Sequence, residues 1–381
     1  MRSVSIVGIG QLPVKKSYDL SISKMGALVV RQAMDAAGVN EIDALYVSNM
    51  LSDELQRQKH LAALIADEAG LFGVEAIQIR AATAVGAAAL RVGSMAVASG
   101  AVDLAVVAGV EKMEGGLSTP ALAKALDAVV EVPDGATMIS HNARLMEAYL
   151  ERYRPPDDAL ALFSVNAHHN GANNPFALFQ NRQFDAEDVL SSRLIFAPVR
   201  LLDCSPICDG AAAVILAPSD QAGHYCSTPV HLLGSGVATD RFRLADRPNP
   251  LNLEGTRLSC QKALAEAKLA SNDIDLFELH DAFSIMACLC LEASGFAELG
   301  KGWQLATEGE IKRDGRIPIS TMGGLKARGH PIGATALYQT CEIFLQLTGR
   351  AEAAQLDGPK IALLQSIGGA ASTTITHVFG V

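Results

Sequence analysis

The chain repeats itself. VSIVGIG (Val4 to Gly10) returns as VHLLGSG (Val230 to Gly236), each an apolar run closed by Gly-x-Gly, 226 positions apart (230 − 4). ALVVRQAMDAAGVNEIDALYVS (27–48) resembles LSCQKALAEAKLASNDIDLFELH (258–280), and Ile42-Asp43 falls on Ile274-Asp275 at a spacing of 232 (274 − 42). VGAAAL (Val85 to Leu90) matches IGATAL (Ile332 to Leu337) at 247 (332 − 85), and LAVVAGV (104–110) resembles IALLQSIGG (361–369). Apolar periodicity, a polar turn and a β-rich run, in that order, predict strand-helix-strand-helix-strand twice over. Such alternation implies α/β layers, and the Gly/Ala-rich stretches read as helices buried between sheets, where only small side chains permit close approach. Their matched positions point to two pseudo-equivalent halves, residues 1–220 and 228–381.

Composition sets the bounds. The 381 residues are 49% hydrophobic, 19% charged and only 5% aromatic, so an extensive core must be filled with Ala, Val, Leu and Ile. A net charge of -10 argues against a nucleic-acid or anionic-membrane surface. Seven cysteines lie in the second half without paired CxxC spacing, which speaks against zinc, and Cys204 and Cys208 in LLDCSPICDG read as packing residues. The N-terminal apolar stretch is too short for a signal peptide, and no long apolar run suggests a membrane span, so a cytoplasmic location is expected.

The repeat also makes a site. Thr83 plus 247 is His330, so both residues fall just before a predicted buried helix, where free N–H groups favour an anion or oxyanion. Between the halves, residues 114–200 carry HNARLMEAYLERYRPPDD and VNAHHNGANNPFALFQNRQF, a composition suited to an excursion over a pocket mouth.

Four segments carry a family likeness: AVASGAVDLAVVAGVEKM (96–113), LLDCSPICDGAAAVIL (201–216), LHDAFS (279–284) and GGLKARGHPIGA (323–334). Over essentially its whole length the chain resembles the thiolase superfamily, nearest the sterol-carrier-type and archaeal acetyl-CoA acetyltransferase-like branch. The resemblance implies a five-layer αβαβα sandwich of two similar halves, a loop insertion over a coenzyme A site, and a homodimer or higher homo-oligomer. It implies a CoA thioester as substrate, with no permanently bound cofactor and no metal. His330 matches the histidine that activates the nucleophile and serves an oxyanion hole, and His280 matches a polar group of a second oxyanion hole. Gly323, Gly324, Gly329, Gly368 and His168 fall on positions the resemblance places around coenzyme A.

The departures are as specific as the matches. The family nucleophile lies in a pattern like AACASGGAAL, which reads AATAVGAAAL here, with Thr83 in place of the cysteine. A thiol has a pKa of about 8.5, readily lowered at a helix N-terminus, whereas a hydroxyl needs strong base assistance. The second catalytic cysteine would fall at Ser366 in the biosynthetic branch, or at Ala282 in the sterol-carrier branch. The expectation is therefore a thiolase-like acyltransferase that binds CoA thioesters and stabilises an enolate or oxyanion, with weak or absent thiolysis. Three alternatives stand beside it: a retro-aldol lyase acting on a β-hydroxyacyl-CoA with a small OB-fold partner, a non-catalytic scaffold, and a thiolase whose acyl group rides on Thr83.

Overall fold

The computed structural model describes residues 2–114 and 117–381; Gly115 and Gly116, at the start of the expected excursion, lie outside the described residues. The first half runs β1 (Val4–Gln11), α1 (Ile22–Ala37), β2 (Ala44–Ser48), α2 (Ser52–Leu55), α3 (Leu61–Glu68), β3 (Glu75–Ile79), α4 (Val85–Ser99) and β4 (Ala105–Glu111). The excursion follows with α5 (Ser118–Ala123), α6 (Met138–Tyr153), α7 (Ala161–Gly171), α8 (Ala186–Ser191) and a hairpin of β5 (Leu194–Phe196) and β6 (Val199–Arg200). β7 (Gly210–Pro218) returns to the first half. The second half is β8 (Val230–Thr239), α9 (Glu254–Ala267), β9 (Leu276–Glu278), α10 (Ser284–Ala293), α11 (Gly302–Thr307), α12 (Thr335–Leu347), β10 (Ile361–Gly368) and β11 (Thr373–Gly380).

The strands line up as β3-β2-β4-β7-β1-β8-β11-β10-β9, a mixed sheet that is symmetric about the β1–β8 junction. β1 and β8 are equivalent, as are β7 and β11, β4 and β10, and β2 and β9, while Ile319 bridges Phe277 in parallel at the place β3 holds in the first half. The two halves meet edge to edge along only Val4 to Ile6, opposite Leu232 to Val230.

Each Gly-x-Gly has a packing reason. A Cβ on Gly10 would lie 2.7 Å from the backbone nitrogen of Ala33 in α1, and one on Gly236 would lie 2.8 Å from that of Ala263 in α9. Those outer helices therefore rest directly on their strands. In the middle, α4 and α12 cross so closely that a Cβ on Gly86 would come within 3.0 Å of Ala336 and Leu337. Their side chains share one core with strands of both halves, including Leu90, Val107, Leu337, Leu364 and Phe379. The layers are thus outer helices, sheet, α4 with α12, sheet, and outer helix. This is the thiolase-type sandwich expected from the resemblance. The 18-residue stretch Ala82–Ser99, interrupted by Arg91, is apolar enough on average to cross a membrane by length and composition. Within this fold it is the core helix, more than half buried.

Candidate active site

Thr83, His280 and His330 converge on one cavity of about 350 Å³. Its floor comes from the central layer and its walls from Met138, Ile139 and Met286, with Arg193 as the charged lining residue. The excursion supplies Leu122, Asn142 and Ile195 as well, so it forms one side of the cavity.

His330 is held on three sides. Its backbone N–H donates to the Cys208 sulfur at 3.2 Å, and its Nδ1 lies 2.7 Å from the Thr335 hydroxyl. With that hydroxyl turned to the Pro331 carbonyl at 3.1 Å, Nδ1 carries the hydrogen and the neutral ring leaves a lone pair on Nε2. Burial, followed by the neighbouring His280 and Arg328, pushes the His330 pKa well down and keeps the ring neutral. The His280 ring stands edge-on to it, with centroids 5.3 Å apart and an 87° interplanar angle. Burial lowers its pKa to about 3. The pair is a neutral lone-pair acceptor beside a neutral imidazole, a combination suited to taking a proton and steadying an oxyanion.

The Thr83 hydroxyl, by contrast, donates to the carbonyl of Ile367 at 2.5 Å. Its proton is committed to β10 and not to His330. Ser366 is fully buried, its hydroxyl has no partner, and it does not line the cavity.

The residues the resemblance placed around coenzyme A do not themselves line this cavity, although Ile367 and Gly369 on either side of Gly368 do. His168 is buried in α7 between the rings of Phe179 and Phe184, away from the cavity lining, and burial pushes its pKa down to about 4. Gly323 adopts φ 110°, and a Cβ there would meet the Cα of Gly171 in α7 at 2.7 Å. Gly324 is crowded by Asp281, Gly329 by Val14, and Gly368 by the Ala81 carbonyl. The structure brings none of these five to the cavity wall. The glycines let the 323–330 segment thread between α7 and the second half.

That segment is braced by buried charge. Arg328 donates to Glu342 at 3.0 Å, the Lys326 ammonium donates to the Asp203 carbonyl, and Leu325 N–H donates to Asp281 at 2.8 Å. Burial raises the pKa of Asp281 and of Glu342, the latter to about 7, but both carboxyls have cations nearby to oppose the shift.

Two cavity-related residues were not legible in the sequence. Cys204, expected to be a packing residue, lines the cavity; its backbone pairs with Phe283 beside Ala282, and burial pushes its thiol up to about 11. Glu111 is completely buried at the end of β4 with four N–H donors on its carboxylate. Glu111 falls within the 96–113 segment that carries the family likeness, but nothing in the linear sequence shows that four donors converge on it.

The Thiolase, N-terminal domain family matches residues 4–220, and the Thiolase C-terminal domain-like family matches residues 236–381. The chain belongs to the thiolase superfamily. It is 41% identical to an acetyl-CoA acetyltransferase of Methanothermobacter thermautotrophicus over 382 aligned positions, covering 100% of both. Human sterol carrier protein 2 is 29% identical across 81% of this thiolase-family chain and 59% of its own length. Among solved structures, the Ltp2-ChsH2(DUF35) aldolase superposes with a TM-score of 0.85 at 22% identity, covering 99% of this chain and 97% of that one. CoA thioesters are the substrates of this family.

Proposed function

We propose that this chain binds CoA thioesters in the Thr83–His280–His330 cavity and stabilises the enolate or oxyanion of the bound thioester, with little ordinary thiolysis. The observation that carries this reading is the Thr83 hydroxyl, tied to Ile367 and lacking a base, next to two neutral histidines that line the same cavity. His330 Nε2 is the proton acceptor and His280 steadies the thioester oxygen. The halves 1–220 and 228–381 each supply one helix end to this centre, with the 114–200 excursion as the acyl wall.

Retro-aldol cleavage of a β-hydroxyacyl-CoA suits these groups. His330 takes the hydroxyl proton, and the Cα–Cβ pair moves into the thioester as an enolate held by His280. A carbonyl product leaves, and a proton returned to Cα completes acetyl- or acyl-CoA. No acyl-enzyme is required. The likeness to the Ltp2-ChsH2(DUF35) aldolase supports this reading and a small OB-fold partner.

Thiolysis of acetoacetyl-CoA by the native protein and by Thr83→Cys tests the proposal. The native rate is expected to be negligible and the cysteine variant to gain turnover. Ordinary native thiolysis overturns the reading. Absence of CoA-thioester binding by both proteins leaves the scaffold role.

A further inference from the structure

Among the buried carboxylates, Glu111 stands apart because its bonds join the two halves of the fold at the loop that bears His330. One oxygen accepts from Asn49 Nδ2 at 2.8 Å and Leu51 N–H at 3.1 Å; the other accepts from Met50 N–H at 3.0 Å and Gly333 N–H at 2.9 Å. Burial pushes the Glu111 pKa up to about 7, and the four donors oppose that shift; with two donors on each oxygen the geometry has no place for a carboxyl proton or an amide NH2 and favours the anion. Gly333 lies three residues beyond His330, and its carbonyl receives the Ser48 hydroxyl at 2.6 Å. Gly333 is therefore gripped through the two peptide groups that flank it, at its N–H from the end of β4 and at its carbonyl from the end of β2. No side chain could intrude, because a Cβ on Gly333 would lie 2.5 Å from the Val110 carbonyl and 2.9 Å from the Asn49 Cα.

We infer that Glu111 is a positioning residue for the reaction: an anionic clamp by which the first half fixes the Gly333 peptide and thereby aims His330 Nε2 into the cavity. The inference rests on the reading of His330 as the proton acceptor. It does not touch substrate, since neither Glu111 nor Gly333 lines the cavity.

Proton abstraction can be read directly as deuterium uptake into the methyl group of acetyl-CoA in D2O, with the acetyl-CoA Kd measured alongside on the same full-length protein. Glu111→Gln is expected to slow exchange by roughly tenfold or more while Kd changes less than about twofold, since a displaced base costs rate and not binding. Exchange at the native rate overturns the inference. So does a loss of binding that matches the loss of exchange, because a general collapse of the site would produce that. If Glu111→Gln does not fold, Ser48→Ala releases the other grip without stranding a charge and is read in the same way. His330→Ala separates the two layers of the argument. Native exchange in that variant sinks the role of His330 itself, whereas loss there with a native rate in the Glu111 and Ser48 variants sinks only the clamp.

Discussion

At position 83 the difference between a thiol and a secondary hydroxyl decides which chemistry is open. The threonine Oγ1 has found a carbonyl on β10, and its β-methyl stiffens χ1 further, so the side chain serves as a tie between halves. In the proposed function the histidines are the working groups, and their protonation is testable. Because burial holds His280 near a pKa of about 3, the folded state resists a proton that the unfolded chain accepts below about 6.5. Folding therefore loses stability as pH falls from about 6.5 toward 3, by up to about 1.4 kcal/mol per unit. His280→Asn removes that penalty, and thermal melts of both proteins at pH 7 and pH 5 are expected to show the variant losing less on acidification. An equal loss in both would place the proton elsewhere. Thr83, His280 and His330 were legible because they sit in spaced motifs. Cys204 and Glu111 were not, since a cavity wall and a four-donor anion hole arise from chain segments far apart in sequence.

At the scale of elements, glycine and alanine govern how closely backbones approach. The Gly-x-Gly pairs and the Gly/Ala helices gave away the repeat and its two strand-helix-strand-helix-strand halves, but not the order of strands in the sheet. What the sequence hid is that Gly323, Gly324, Gly329 and Gly368 are crowded by α7, Asp281, Val14 and the Ala81 carbonyl, a steric demand that no linear motif displays. Gly109 in β4 shows the same constraint from the facing side. A Cβ there would stand 2.7 Å from the Ala334 Cα and would also strike the Gly333 carbonyl. Gly109→Ala is expected to destabilise the fold by about 1–3 kcal/mol through overpacking, seen as a lower thermal midpoint. Because the displaced strand would push on the same loop as His330, acetyl-CoA deuterium exchange is expected to fall as well. An unchanged midpoint would show that the loop yields freely.

For the molecule as a whole, the nine-stranded order ends at β3, a half-buried edge strand with Ile77 46% exposed. Beside it α4 presents Met95 at 53% and Val92 at 38% exposure. An open apolar edge of this kind is a ready template for another strand. We propose that a second copy covers it, giving the homodimer implied by the family resemblance. Ile77→Lys is expected to shift the sedimentation coefficient from dimer to monomer. If native protein already sediments as a monomer, or the variant remains dimeric, this edge is not the interface. The outer helices and the duplicated sheet were readable from sequence, but the β1–β8 junction was not, because three facing residues leave no compositional mark.

The loops before the two central helices are each held by the opposite half: Thr83 by the Ile367 carbonyl in β10, and Gly333 by Ser48 and Glu111 at the ends of β2 and β4. This reciprocity locks the two halves as a keystone locks an arch. Neither half can shift without dragging a loop of the other, so the candidate site exists only when both are folded against each other.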